Sequence, residues 1–259
     1  SFDTRVAELG ISCEACHGPA RDHAAANRSP VRRHARYLAA GSAGSTGAGR
    51  DAGERGPPDE TVVNPARLDH RRASEVCGQC HSAAGTRDIP DWLANGQAYR
   101  AGGALADTRD LLRWEEEPSD PRIRAWLEDQ PGGLIGRFWR DGTVRVAGRE
   151  LNGLAESPCY QRGAMSCLSC HSLHGYSDPA DQLAPGMGGD AACLQCHADL
   201  ADRAEGHTRH APGTAGSGCY DCHMPHTTYG LFGAMRAHRV DSPDVATTVA
   251  SGRPNACNL

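Results

Sequence analysis

The chain has 259 residues, enough for one or two ordinary domains, yet only 39% are hydrophobic and 5% aromatic, with 31 Gly, 16 Pro and a mean hydropathy of -0.55. Its side chains alone fall short of an ordinary apolar core. A formal charge of -5 argues against nucleic acid as a partner, and no apolar run is long enough to span a bilayer.

In chain order, the first legible element is Cys13-Glu14-Ala15-Cys16-His17, followed by His23. Residues 41–60, GSAGSTGAGRDAGERGPPDE, are so rich in Gly, Ser and Pro that a mobile surface loop is expected. The Cys-x-x-Cys-His pattern then returns as Cys77, Cys80 and His81. In residues 121–130, PRIRAWLEDQ, a leading proline and Ile123, Trp126 and Leu127 at helical spacing predict a helix that Pro131-Gly132-Gly133 ends. In residues 137–149, RFWRDGTVRVAGR, Asp141-Gly142 between alternating segments predicts a β-hairpin with a two-residue turn. Trp114, Trp126, Phe138 and Trp139 read as packing within this stretch. Three further motifs follow at a constant period of 26 residues: Cys167/Cys170/His171, Cys193/Cys196/His197 and Cys219/Cys222/His223.

Cys-x-x-Cys-His is the pattern of covalent c-type haem attachment, in which two thiols bond the macrocycle and the adjacent histidine binds its iron. Cys-x-x-Cys is also the half-site of structural zinc. Zinc does not need the following histidine, whose appearance after all five pairs has a chance of roughly 10⁻⁷ on composition alone. Five half-sites also pair badly into four-coordinate centres. The reading is five covalent haems using ten of the twelve cysteines. Flat macrocycles would supply the missing interior, so the chain is expected to be largely unfolded without them. All 27 basic residues are arginine, which suits bidentate pairing with haem propionates. Haem attachment of this kind takes place outside the cytoplasm, so the expected location is periplasmic or extracellular. The chain begins at Ser1 with no charged segment leading into an apolar stretch, so any export signal is expected to be already removed or upstream.

The occupant of the iron's sixth position decides between electron transfer and reaction at the metal. Eight histidines remain beyond the five in the motifs, and second ligation by histidine is the economical account. His174 and His226 each follow a motif histidine by three residues, which on a helix puts both rings on one face and aims the second at a neighbouring haem. Of His207 and His210, one is expected to ligate, with His210 preferred. His238 lies in GAMRAHR, which looks helical, and His23 is placed to serve another haem. His34 and His70 sit amid arginines and read as surface or propionate contacts. Met165, Met187, Met224 and Met235 read as packing. Cys159 and Cys257 could form a disulfide, or Cys257-Asn258-Leu259 could open a sixth motif.

The strings GISCEACHGPARDH, SEVCGQCHS, SPCYQRGAMSCLSCHSLHG, ACLQCH with HTRH, and CYDCHMPHTTYG with RAHR resemble the multihaem c-type cytochromes related to the tetrahaem cytochrome of nitrifying bacteria, a group often joined to tetratricopeptide repeats. The resemblance implies that His23, His174, His210, His226 and His238 are second ligands, that Cys159 belongs to the pattern before the third motif, and that RPNACNL continues into another haem site. The Gly-rich stretch departs from the family pattern.

The expected fold is mostly α with much irregular loop, organised around closely packed covalent haems, with a small β-hairpin insert. Residues 1–89 form a two-haem segment, 90–158 a haem-free insert of helix plus hairpin, and 159–259 a three-haem repeat segment. The expected function is electron transfer through bis-histidine haems between redox partner proteins. The alternatives are a haem oxidoreductase of small nitrogen or sulfur compounds with one open site, and a subunit of an extracellular filament; docking to a membrane complex is a further expected contact.

Overall fold

The structure is a computed structural model and describes residues 10–42 and 59–259. The expected loop at 41–60 lies largely outside the described residues. The chain is built of short helices and loops with two small antiparallel sheets.

Helices α1 (Cys13–His17), α2 (Arg21–Asn27) and α3 (Pro30–Ser42) come first, the last opening on proline. Helix α4 (His70–Gly78) starts where the Asp69 carboxylate accepts the N–H groups of Arg71 and Arg72, and it buries Ala73, Ser74 and Val76. Strand β1 (Ala84–Thr86) pairs with β2 (Arg109–Leu111), Ala84 opposite Leu111, around α5 (Ile89–Asn95). The expected helix is present as α6 (Pro121–Asp129): Asp120 caps it, Pro121 starts it, and Gln130 leaves helical geometry. Ile123, Trp126 and Leu127 pack against a cluster of Ala83, Leu134, Phe138 and Val144.

The hairpin at Asp141-Gly142 forms, but with a three-residue loop. Trp139 N–H donates to Thr143 O (2.8 Å) and Gly142 N–H to Trp139 O (2.9 Å), with Gly142 at φ 84°. This is a type I turn closed by a left-handed glycine, which bulges the strand and suits Asp-Gly as well as a two-residue turn does. Its outgoing strand holds the segment after the fifth motif. Tyr229 N–H donates to Arg145 O (2.8 Å), Ala147 N–H to Tyr229 O (2.9 Å), and Trp139 Nε1 to Thr227 O (3.0 Å).

Helix α7 (Glu150–Ala155) packs on α4, and α8 (Pro158–Gln161) follows it. Leu151, Leu154, Leu105, Tyr99 and Tyr160 form a second apolar cluster, with Cys167 at its edge. The buried Asn152 amide is satisfied three ways, accepting from Ala83 N–H and donating to Ala83 O and Leu112 O. Helices α9 (Ala191–Leu194), α10 (Ala204–Thr208) and α11 (Cys219–His223) carry or flank the last two motifs. Strands β3 (Thr228–Gly230) and β4 (Gly233–Met235) pair around the Leu231-Phe232 turn. Helix α12 (Val245–Ser251) runs from the Asp244 cap to Gly252, in left-handed geometry.

GAMRAHR is therefore not a helix. Gly230 and Gly233 bracket a tight turn, Phe232 takes φ 64°, and sheet pairing by β4 overrides the helical propensity of the residues before His238.

Candidate haem-attachment site

Each of the five motifs closes on the same turn of backbone. In the second, third and fourth, the histidine N–H donates to the carbonyl of the first cysteine at 2.9 Å: His81 to Cys77, His171 to Cys167, His197 to Cys193. In the first and fifth, α1 and α11 span the motif itself. One such turn puts positions one, four and five on a common side, so both thiols and the imidazole meet the same ligand. Every cysteine is free, and Cys13, Cys80, Cys196 and Cys257 are exposed. The disulfide considered between Cys159 and Cys257 is not formed: Cys159 lies in α8, and Cys257 in a 3-10 turn (Ala256–Asn258) that packs on α11.

Four of the five motif histidines are oriented through Nδ1. That atom meets Val63 O in His17 (2.7 Å), Asp181 O in His171 (3.0 Å) and Asp241 O in His223 (2.7 Å), and a Glu150 carboxylate oxygen in His81 (2.7 Å). A proton held on Nδ1 leaves Nε2 free to bind a metal. The Glu150 carboxyl is held low, to about 2: burial opposes this, and hydrogen bonds from His81 and Gly148 outweigh it. Around Asp241, burial pushes the carboxyl up while Arg253 and Arg239 pull it down; Arg253 also grips Asp141 at 2.7 Å. That buried network fixes the carbonyl on which His223 is hung.

Three motif histidines each face a histidine from elsewhere. The ring centres of His17 and His174 are 6.0 Å apart with planes 19° from parallel; His171 and His238 are at 6.2 Å and 17°, His223 and His207 at 6.0 Å and 11°. An imidazole nitrogen sits about 2.0 Å from a first-row metal, and the ring centre lies about 1.1 Å further back, so two imidazoles on opposite sides of one iron have centres about 6 Å apart. The donor set fits haem. His238 further has Nδ1 on Arg236 O (3.1 Å), and burial, ahead of its neighbouring charges, pushes its imidazole below the usual range, toward the neutral form that binds metal.

Of the histidines singled out in the sequence, His174, His238 and His207 are brought to motif histidines; His210 is not the one facing His223. Arg209 turns left-handed (φ 63°) and ends α10, which parts His210 from the helix face of His207 and leaves its ring against Gly216. The premise of a shared helical face also fails after the third and fifth motifs. The turn at Cys167–Ser169 is a single 3-10 turn, and α11 ends at His223 ahead of Pro225, so His174 and His226 lie on loops. His23 directs Nδ1 to Asp59 (3.0 Å), and His226 is exposed. His70 is not a surface contact: its Nε2 meets Tyr160 O at 3.0 Å.

Successive motifs touch. Gln79, in the second, donates to Ala15 O of the first (2.7 Å), and Gln195, in the fourth, donates to Ser169 O of the third (3.1 Å). Both glutamines occupy the position before the second cysteine, and each also donates to the carbonyl three residues back, at 2.7 Å. The remaining junctions are also bonded: Cys167 N–H of the third motif donates to Ser74 Oγ of α4 (3.3 Å), and Cys219 N–H of the fifth donates to Asp190 Oδ1, just before the fourth (2.8 Å). Among the described residues no three His, Cys, Asp or Glu side chains converge as a metal-ion site, the geometry structural zinc requires.

Residues 160–202, which include the third and fourth motifs, match the family profile described as the doubled CXXCH motif. The same Cys-x-x-Cys-His pattern stands at three further places outside the matched stretch, at Cys13, Cys77 and Cys219. No curated protein matches the chain. Among solved structures it is similar to the outer cell wall cytochrome OcwA, at 19% identity and a TM-score of 0.46, over 96% of this chain and 53% of that one. The chain thus spans about half the length of that cytochrome. No helix among the described residues is long and apolar enough to cross a membrane.

Glu150, Gln79 and Gln195 were not legible as site residues. The glutamines had a signal, the shared x-Gln-Cys-His of CGQCH and CLQCH. Glu150 had none, since a fold contact alone brings it to His81.

Proposed function

We propose that the chain is an electron-transfer module in which haems attached at Cys13/Cys16, Cys77/Cys80, Cys167/Cys170, Cys193/Cys196 and Cys219/Cys222 are arranged in sequence order. His17, His81, His171, His197 and His223 are the first ligands, and His174, His238 and His207 the second ligands of the first, third and fifth haems. The observation that carries this reading is the set of three near-parallel ring pairs with centres 6.0 to 6.2 Å apart. Haem bound there supplies reversible one-electron redox chemistry. The chain's own residues orient four of the five imidazoles through Nδ1, keep their Nε2 available, and clip the first attachment turn to the second and the third to the fourth.

The partners are redox proteins outside the cytoplasm, where thioether attachment takes place. Copies of the chain in a filament, or a membrane complex that it docks on, extend the same role. The likeness to the tetrahaem cytochromes of nitrifying bacteria rests on the strings around the third and fifth motifs.

The test combines a pyridine haemochrome assay and intact mass on one holoprotein sample with electron paramagnetic resonance of its oxidised form. The expected result is five haems and low-spin signals from the first, third and fifth centres. Fewer attached haems, zinc in their place, or high-spin iron at those three positions overturns the reading.

A further inference from the structure

Among the motif histidines whose Nδ1 partner is described, three meet a neutral backbone carbonyl, and His81 meets a carboxylate. We propose that Glu150 tunes the haem attached at Cys77 and Cys80, giving it the most negative reduction potential of the series. This rests on the haem attachment proposed above and assigns a role to a residue outside every motif.

The contact is built from both sides. Glu150 opens α7; the next residue, Leu151, donates its N–H to the His81 carbonyl (3.0 Å), so main chain and side chain grip the same histidine. The second Glu150 oxygen accepts the Gly148 N–H at 2.7 Å. Asn152, two residues on, is bonded to both main-chain groups of Ala83, just beyond His81. Leu151 and Leu154 anchor the helix in the apolar cluster. The Glu150 side chain is only 17% exposed, so solvent screens its charge weakly.

A hydrogen bond to a carboxylate is charge-assisted and stronger than one to a carbonyl. It draws the Nδ1 proton away from His81 and raises the basicity of Nε2, the atom that faces the iron. A more basic ligand and a nearby negative charge both favour ferric over ferrous iron, which carries one positive charge less. His23 also directs Nδ1 to a carboxylate, that of Asp59, but Asp59 is shared with Arg36 (3.3 Å) and Thr61, and His23 belongs to no attachment motif. Glu150 is thus a positioning residue that acts through His81.

The test is a spectroelectrochemical titration of the holoprotein and of Glu150→Gln, which keeps an acceptor oxygen and removes the charge. Cys77→Ser/Cys80→Ser identifies the component of that haem as the one that disappears. The expected result is that this single component moves about tenfold toward the ferrous form in Glu150→Gln, 59 mV for a one-electron couple, while the others hold. Glu150→Asp, which restores the charge, returns most of the shift. An unmoved component, or a uniform shift of all components, overturns the proposal. If Glu150→Gln does not retain its haems, the double serine variant decides alone, because the most negative component must vanish from it and its survival refutes the assignment. A haemochrome count below five in the unsubstituted protein is failure of the haem reading itself, a separate outcome.

Discussion

The ring of His174 lies 6.0 Å from that of His17 and within 19° of parallel, although one follows the third motif and the other closes the first. Such a pair cannot form until the 156 residues of intervening chain have brought its two members together, so one iron would staple the N-terminal segment to the repeat segment. Replacing His174 by alanine is expected to convert one low-spin haem to high spin and to lower the thermal midpoint of the holoprotein. Magnetic circular dichroism with a melting curve checks both; an unchanged spin state would count against the pairing.

His207 and His210 make a sharper contrast, because they are neighbours with different geometry. His207→Ala should expose one high-spin centre, that of the fifth motif, while His210→Ala should leave every spin state as it was. Paramagnetic resonance of the two variants side by side gives the answer, and the reverse pattern would falsify the assignment.

Gly78, between the two cysteines of its motif, is where α7 comes closest to α4: a Cβ there would overlap the end of Leu151. Gly78→Ala should therefore destabilise the holoprotein by about 1–3 kcal/mol through overpacking. Leu151→Ala, which empties a site only 2% exposed, should cost about 2–5 kcal/mol. Denaturant titration with a haem-absorbance readout measures both, and a neutral Leu151→Ala would show that haem, not this cluster, holds the two helices.

The glutamine clips are weaker. Each donates an uncharged hydrogen bond between motifs, so Gln79→Ala or Gln195→Ala should cost about 1 kcal/mol. The exposed Gln195 is expected at the lower end, and the double variant should be close to additive because the two sites are separate. Differential scanning calorimetry of the three variants supplies the test.

The largest expected effect comes from preventing attachment. With only two small apolar clusters among the described residues, the haem-free chain should be expanded and lack fixed tertiary packing. Small-angle scattering and near-ultraviolet circular dichroism of chain made without haem attachment check this. A compact, cooperatively melting apo form would show that the clusters suffice.

What the sequence reveals depends on how local the cause is. Helix α6 was legible because Asp120, Pro121 and the spacing of Ile123, Trp126 and Leu127 all act within one segment. The hairpin was visible for the same reason, although its loop length was not, since Asp-Gly serves both kinds of turn. The attachment residues are adjacent in sequence and could be read directly. The histidines that face the motif histidines are a different matter: His238 reaches His171 by way of a β-turn that cancels the helical look of GAMRAHR, and His207, not His210, faces His223 because one left-handed residue separates the two. Glu150 meets His81 only once α7 has packed on α4, a contact no spacing announces.

Because every attachment turn abuts the one before it and the one after, position along the polypeptide doubles as position along the conducting path. Lengthening or trimming such a molecule at either end would extend or shorten the wire without rerouting its interior.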